Sequence, residues 1–200
     1  MSSPAQINLT NQFLIAMPGM ADENFEGSVV YLCEHSAKGA LGLVINKPSD
    51  IKLKSLFEKV ELSLDRTELA EQPVYFGGPV QTDRGFVLHP KLAVTAPDGA
   101  PGSPYASTMT IPGAALEMTT SKDVLEALAQ GAGPAKVLVM LGYAGWGAGQ
   151  LEDELGRNGW LTVNADPSLI FDTPVERRYE RAFQLLGIDP YMLSSEAGHA

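Results

Sequence analysis

The sequence predicts an α+β fold in a single compact domain that spans residues 1–200, with an ordered core over about 9–190. The chain has 200 residues, a length that favours one domain. Hydrophobic residues make up 44% and charged residues 19%, as in globular proteins. Predicted strands follow one another near the start and predicted helices stand apart, which favours α+β over a regular βαβ winding.

The N-terminal part contains three short apolar segments of strand length, over 13–17, 28–35 and 41–45. The first is closed by a Pro-Gly turn. Lys38-Gly39 separates the other two, so we expect them to form an antiparallel hairpin. Asn46-Lys47-Pro48 should end the third strand.

The middle of the chain begins with a predicted amphipathic helix over 53–62, because its apolar residues recur at three- and four-residue spacing. Short strands follow over 74–76 and 86–89. A loop over 91–105 is rich in proline and glycine, which predicts irregular structure. The alternating pattern of 107–111 predicts another strand.

The next helix should begin after the cap residue Thr120 and end at Gly131. The apolar run 136–141 predicts a strand that is buried on both faces. A glycine-rich segment over 142–149 is expected to be a loop, and a short acidic helix is expected over 150–155.

Strands are then predicted over 160–163 and 169–171. The last helix has the clearest boundaries. Thr173 is its predicted N-cap, Pro174 its first helical residue, and Glu176 completes a capping box. Gly187 should end it.

The charge of the chain argues against direct nucleic-acid binding. The formal net charge is −10, which repels phosphate backbones. The densest basic stretch, Arg177, Arg178 and Arg181, is interleaved with Glu176 and Glu180. At those spacings a solvated helix face with ion pairs is favoured over a binding patch.

The N-terminus predicts a cytoplasmic location without a membrane segment. It lacks the basic and long apolar regions of a signal peptide. The first apolar run, 13–17, is too short to span a bilayer. The single cysteine, Cys33, gives no sign of an oxidising compartment.

Cys33 stands two residues before His35, which suggests a nucleophile and its base. In a regular strand they would share a face, with Cα atoms about 7 Å apart, which is too far for a direct hydrogen bond without a bulge. Free cysteines are also usually buried. We therefore predict a structural Cys33 and assign no catalytic residue, so the sequence leans away from an enzyme.

The three histidines, His35, His89 and His199, do not stand at metal-ligand spacings, and we predict no metal and no cofactor. A site that joins His35 and His89 with a carboxylate would need long-range convergence. The serines lack the elbow sequence of an α/β hydrolase.

Two segments, Gly77-Gly78-Pro79 and 142–149, are glycine-rich, and the second lies between a predicted strand and a predicted helix, where phosphate-binding loops occur. Neither contains a Walker A sequence or a dinucleotide-binding spacing. Three acids, Glu152–Glu154, would also repel phosphate at the start of the following helix. Tight turns and close packing around Trp146 explain the glycines better than a ligand site does, and the ligand site is kept as the alternative.

Six blocks in order along the chain resemble the YqgE/AlgH family: FLIAMPGM at 13–20, FEGSVV at 25–30, GALGLVINKP at 39–48, GGPV at 77–80, FVLH at 86–89 and LGYAGWGAGQLEDEL at 141–155. Tyr179 is a departure, since many members have Trp there. The resemblance implies a curved, barrel-like, mostly antiparallel β core flanked by helices. It implies no agreed catalytic residue or cofactor, although members are often labelled transcriptional regulators.

Two functions remain from the sequence. The first is a regulatory protein that acts through a protein or small-ligand partner without binding DNA directly. The alternative is an enzyme or small-molecule-binding domain. The candidate ligand-binding residues are Asn46, Lys47, Gly77, Gly78, Arg84, Trp146 and Gln150.

Overall fold

The structure is a computed structural model that describes residues 7–92, 94–95 and 101–193. The described strands are β1 (Gln12–Ala16), β2 (Val29–Ser36), β3 (Gly39–Val44), β4 (Pro48–Lys52), β5 (Pro73–Phe76), β6 (Val80–Pro90), β7 (Val94–Thr95), β8 (Pro101–Gly102), β9 (Thr108–Thr110), β10 (Leu116–Thr119), β11 (Leu138–Gly147) and β12 (Trp160–Asn164). The described α-helices are α1 (Leu53–Lys59), α2 (Asp123–Ala129), α3 (Gln150–Gly156), α4 (Pro167–Phe171) and α5 (Arg178–Leu185). His199, and residues 93 and 96–100 of the predicted loop, lie outside the described residues.

Ten strands form one curled sheet in the order β12-β1-β2-β3-β11-β6-β10-β9, with β5 beside β11 and β4 beside β5. Every pairing in this sheet is antiparallel except that of β5 with β11. The α+β class and the curled, mostly antiparallel core are therefore confirmed. The strand β11 joins the two halves, because it pairs with β3 near its end and with β6 near its start.

The apolar side chains form three clusters on the two faces of this sheet. The interior cluster combines Phe13 of β1, Phe86 of β6 and Phe183 of α5, so it fills the inside of the curl. On the outer face, α3 covers a cluster around Trp146. A third cluster lies under α1 and α2 and contains Val87. Burial of these faces supplies the main driving force for folding.

A β-bulge in β2 overturns the expectation that Cys33 and His35 share a face. The pairing with β3 shifts between Leu32 and Glu34, which inserts one extra residue. Cys33 therefore packs in the interior cluster, whereas His35 bonds to Glu152 of α3 on the outer side. The two side chains do not form a nucleophile–base pair.

Two predicted elements in the C-terminal third of the chain were wrong. The expected strand 169–171 lies in helix α4, where Asp166 caps the N-terminus by accepting a bond from the backbone N–H of Ser168. Residues 142–147 continue strand β11 and are not a loop. The sequence pattern also missed β4 and β10, both of which are short.

The predicted caps of two helices were also wrong. The last α-helix starts at Arg178 after a 3₁₀ turn, and the hydroxyl of Thr173 donates to the carbonyl of Ser168 and caps nothing. Helix α2 starts at Asp123 and has no side-chain hydrogen bond at its N-cap, so Thr120 is not the N-cap residue. The stop at Gly187, with φ of 71°, agrees with the prediction.

Candidate partner-binding site

An aromatic cleft of about 250 Å³ lies on the outer face of the sheet, beside α3. Trp146 comes from β11, Trp160 from β12, and Phe25 from the segment between β1 and β2. The ring of Phe25 stacks on Trp146 at 6.0 Å and meets Trp160 edge-on at 5.5 Å. The residues that line this aromatic cleft are Met20, Asp22, Phe25, Gly145, Trp146, Gln150, Glu154, Arg157, Gly159 and Trp160.

The carboxylate of Glu154 fixes the two indole rings. Its Oε2 accepts hydrogen bonds from Nε1 of Trp146 at 2.9 Å and from Nε1 of Trp160 at 2.8 Å. Its Oε1 accepts a bond from Nε2 of Gln150 at 3.0 Å. The amide oxygen of Gln150 in turn accepts the backbone N–H of Gly147. Both carboxylate oxygens are thus engaged, which suits Glu154 to positioning and not to proton transfer.

Asn46 and Lys47 brace the wall of the cleft and do not line it. The side chain of Asn46 accepts the N–H of Val29 at 2.8 Å and donates to the carbonyl of Gly27 at 2.9 Å. The ammonium of Lys47 donates to the carbonyl of Asn24 at 2.9 Å. Partial burial lowers the pKa of Lys47. Both residues therefore hold the segment that carries Phe25.

Gly77 and Gly78 lie where two backbones pass unusually close. A Cβ atom on Gly77 would stand 2.3 Å from the carbonyl oxygen of Gly142, and one on Gly78 would stand 2.1 Å from the carbonyl carbon of Tyr143. Gly142 itself has a φ of 75°. These positions need glycine for close packing, as the sequence indicated.

Arg84 lies in a different cleft from Trp146 and Gln150. Its guanidinium stands 5.5 Å from the centre of the Phe86 ring. It belongs to a second cleft, beside β6, β9 and β10, which we call the Arg84 cleft. The predicted residues thus fall into three groups: those that line the aromatic cleft, those that brace it or pack backbones, and Arg84.

The surroundings of the aromatic cleft are acidic. Asp22 and Glu154 line it, and Arg157 is the single basic residue among its described lining residues. Two further acids, Glu23 and Glu26, are exposed on the same segment as Phe25. Acidic side chains therefore outnumber basic ones among the residues named around the aromatic rings.

An open strand edge runs beside the aromatic cleft. Strand β12 is the last strand of the sheet and pairs with β1 only. The N–H of Met17 donates to the carbonyl of Gly159, so these two opposite residues form a hydrogen-bonded pair. In an antiparallel ladder hydrogen-bonded pairs alternate with pairs that are not hydrogen-bonded to each other, so this bond determines which residues of β12 face β1. The main-chain groups of Trp160, Thr162 and Asn164 therefore point away from β1. No described residue forms a backbone hydrogen bond with them.

A family model described as AlgH-like matches residues 13–191. The chain belongs to the AlgH-like family. A "UPF0301 protein" of Variovorax paradoxus is 69% identical over 98% of both chains, and one of Ralstonia nicotianae is 65% identical over the full length of both. These names assign no molecular activity.

Two solved structures share the fold of this AlgH-like chain. The solution structure of AlgH from Pseudomonas aeruginosa is 48% identical and matches with a TM-score of 0.75 over all of both chains. A crystal structure of a Corynebacterium diphtheriae protein has a TM-score of 0.66 at 21% identity and covers 91% of this chain and 89% of its own. The second likeness concerns the fold alone.

Sequence reasoning did not single out Phe25, Trp160 and Glu154 as site residues. Two signals were available for them. The chain has only two tryptophans, and both lie within a few residues of α3. Glu154 stands four residues after Gln150, so both project from the same side of that helix.

The remaining titratable candidates have structural contacts. The ring of His35 accepts the N–H of Leu9 at Nδ1 and meets Glu152 through Nε2 at 2.7 Å. Burial raises the pKa of the Cys33 thiol. Among the described residues, no three His, Cys, Asp or Glu side chains cluster as a metal site. No helix in the described ranges has the length and apolarity needed to cross a bilayer.

Proposed function

We propose that this AlgH-like protein is a cytoplasmic regulatory protein without catalytic activity of its own. It acts by binding an extended segment of a protein partner at the aromatic cleft and along strand β12, and it does not bind DNA directly. The observation that carries the proposal is the aromatic cleft beside an open strand edge.

A peptide that adds as a strand is recognised through its main chain and through its side chains, and the edge of β12 and the aromatic cleft can contact these two parts. The outward N–H and C=O groups of Thr162 and Asn164, which are not buried, can pair with an extended peptide, which gives affinity independent of sequence. The neighbouring rings of Phe25 and Trp160 can receive one apolar side chain, which gives specificity.

The charge of the cleft supports a basic partner segment. Asp22 lines the cleft, Glu23 and Glu26 are exposed on the segment that carries Phe25, and the whole chain carries a net charge of −10. The segment that fits is therefore an extended one with an apolar anchor residue flanked by Lys or Arg. The same acidic field opposes contact with phosphate backbones.

The test selects ligands from a phage-displayed library of short random linear peptides and measures their binding by tryptophan fluorescence. We expect enriched peptides to carry an apolar anchor with flanking basic residues. Proline at position 162 removes an outward N–H that β1 does not use, so Thr162→Pro should weaken these peptides. Thr162→Val keeps that N–H and is the matched control.

Three results would overturn the proposal. One is a library without enrichment for basic, apolar-anchored sequences. Another is equal binding by the Thr162→Pro and Thr162→Val variants. The third is submicromolar, salt-sensitive and sequence-specific binding to duplex DNA in an anisotropy titration, which would restore a direct transcriptional role.

A further inference from the structure

The Arg84 cleft has the composition of a small-molecule site that is separate from the aromatic cleft. It encloses about 370 Å³, at the lower end of the range for small-molecule pockets. Its floor is formed by Phe86 and Met118, which are buried members of the interior cluster. Met109 and Tyr143 pack against the same cluster and line the walls. A ligand seated here would extend the hydrophobic core of the protein.

Arg84 is the one charged residue among the described residues that line this cleft. Its only side-chain hydrogen bond within the described part of the chain is a long one, 3.4 Å, to the amide oxygen of Gln81. It forms no ion pair with a described carboxylate. Arg157, Arg178 and Arg181 likewise form no ion pair with a described carboxylate, so what distinguishes Arg84 is its place beside the apolar side chains of this cleft.

Hydroxyl groups complete the rim of the cleft. Thr120 and Tyr143 line it, and neither hydroxyl has a hydrogen-bond partner among the described residues. Such groups can donate to a carboxylate or sulfonate that Arg84 also binds. The side chains of Met109 and Met118 are flexible and adapt to different apolar shapes.

We propose that the Arg84 cleft binds a small amphipathic monoanion, a carboxylate with a short apolar tail. The guanidinium and the rim hydroxyls hold the head group, and Phe86, Met109 and Met118 hold the tail. An anion is favoured over a neutral ligand because Arg84 is the one charged residue among the described residues that line the cleft. A cationic ligand is disfavoured for the same reason.

The experiment titrates the full chain with octanoate and follows the amide signals of the cleft residues by two-dimensional NMR. Octanol and octylammonium, which share the tail, serve as matched probes. We expect octanoate to produce saturable shifts at Arg84, Phe86 and Met118, and to bind about five- to tenfold more tightly than octanol. Its affinity should fall as salt increases.

Substitutions separate this site from the aromatic cleft. Arg84→Gln should weaken octanoate about five- to tenfold, whereas Arg157→Gln, an exposed arginine of the aromatic cleft, should leave it unchanged. Arg84 is exposed, so its replacement should not impair folding, which circular dichroism checks. Equal binding of octanoate and octanol, equal effects of the two variants, or shifts away from the cleft would overturn the proposal.

Discussion

Removing the Glu154 carboxylate tests how the aromatic cleft is held together. In Glu154→Leu, the indole N–H groups of Trp146 and Trp160 lose their shared acceptor. The two tryptophans are only 5% and 3% exposed, so water can replace that acceptor poorly. An unsatisfied buried donor costs about 1–3 kcal/mol. The expected loss is therefore about 2–6 kcal/mol of unfolding free energy, a large share of the roughly 5–15 kcal/mol typical of a domain.

Urea unfolding provides the assay, followed by tryptophan fluorescence and by far-ultraviolet circular dichroism. Trp146 and Trp160 are the only tryptophans of the chain, so the fluorescence signal reports directly on the cleft. Glu154→Gln keeps one acceptor oxygen and should lose less stability than Glu154→Leu. Asp153→Asn removes an exposed charge from the same helix and should cost less than about 1 kcal/mol.

The reasoning would be refuted if Glu154→Leu and Asp153→Asn unfolded at the same urea concentration. That result would mean that the indole N–H groups find other partners, or that their bonds to Glu154 contribute little. A loss confined to the fluorescence transition, with an unchanged circular dichroism transition, would also contradict it, because the cleft would then unfold separately from the sheet.

Three further perturbations follow from the packing. Gly78→Ala should prevent correct folding, because its Cβ would lie 2.1 Å from the Tyr143 backbone, whereas Gly85→Ala meets nothing within 4 Å and should be tolerated in the same unfolding assay. Cys33 should react with a thiol reagent only as fast as the protein unfolds, because it is fully buried; rapid labelling of the native protein would contradict this. Burial lowers the pKa of His89 below its ordinary value of 6.5, so the unfolded chain binds a proton at this ring more tightly than the folded chain does. The stability that the neutral ring contributes should therefore be lost as the pH falls below 6.5. Urea unfolding at about pH 7.5 and about pH 5.5 measures this loss, and His89→Gln should reduce the difference in stability between the two pH values.

Much of the fold could be read from local patterns, because β1–β3 contain short continuous apolar runs and their turns use Pro-Gly and Lys-Gly sequences. Elements that depend on tertiary pairing were missed. Strand β4 reads as polar and pairs only with β5, so nothing in its sequence marks it as a strand. Helix α4 was mistaken for a strand because three apolar residues outweighed the Asp-Pro-Ser cap that precedes them.

The site was harder to predict than the fold, because its residues meet across long sequence separations. Gln150 and Trp146 were identified from their own segment, and they do line one cleft. Phe25 reaches the same cleft from more than a hundred residues away, held by Asn46 and Lys47. Local spacing cannot report such a contact, which depends on the register of the whole sheet.

The glycine-rich segment accounts for the positions of both clefts. Before Gly142, even-numbered residues of β11 such as Met140 face the interior, and odd-numbered ones such as Val139 face outward. The pairing with β6 shifts between Leu141 and Tyr143, and the order then reverses, so that Tyr143 faces the interior and Trp146 faces outward.

Because of this reversal, Tyr143 lines the Arg84 cleft and Trp146 lies in the aromatic cleft, where it donates to Glu154. The positive φ of Gly142 and its contact with the Gly78 carbonyl allow the bulge in this crowded place. The glycine-rich segment that begins at Gly142 therefore continues a bulged strand, and the bulge determines which faces of the sheet Tyr143 and Trp146 lie on. A Cβ at position 142 would lie 2.3 Å from the Gly78 carbonyl oxygen, so Gly142→Ala should impair folding as Gly78→Ala does and lose octanoate binding and native tryptophan fluorescence together, whereas Arg84→Gln should change only the first.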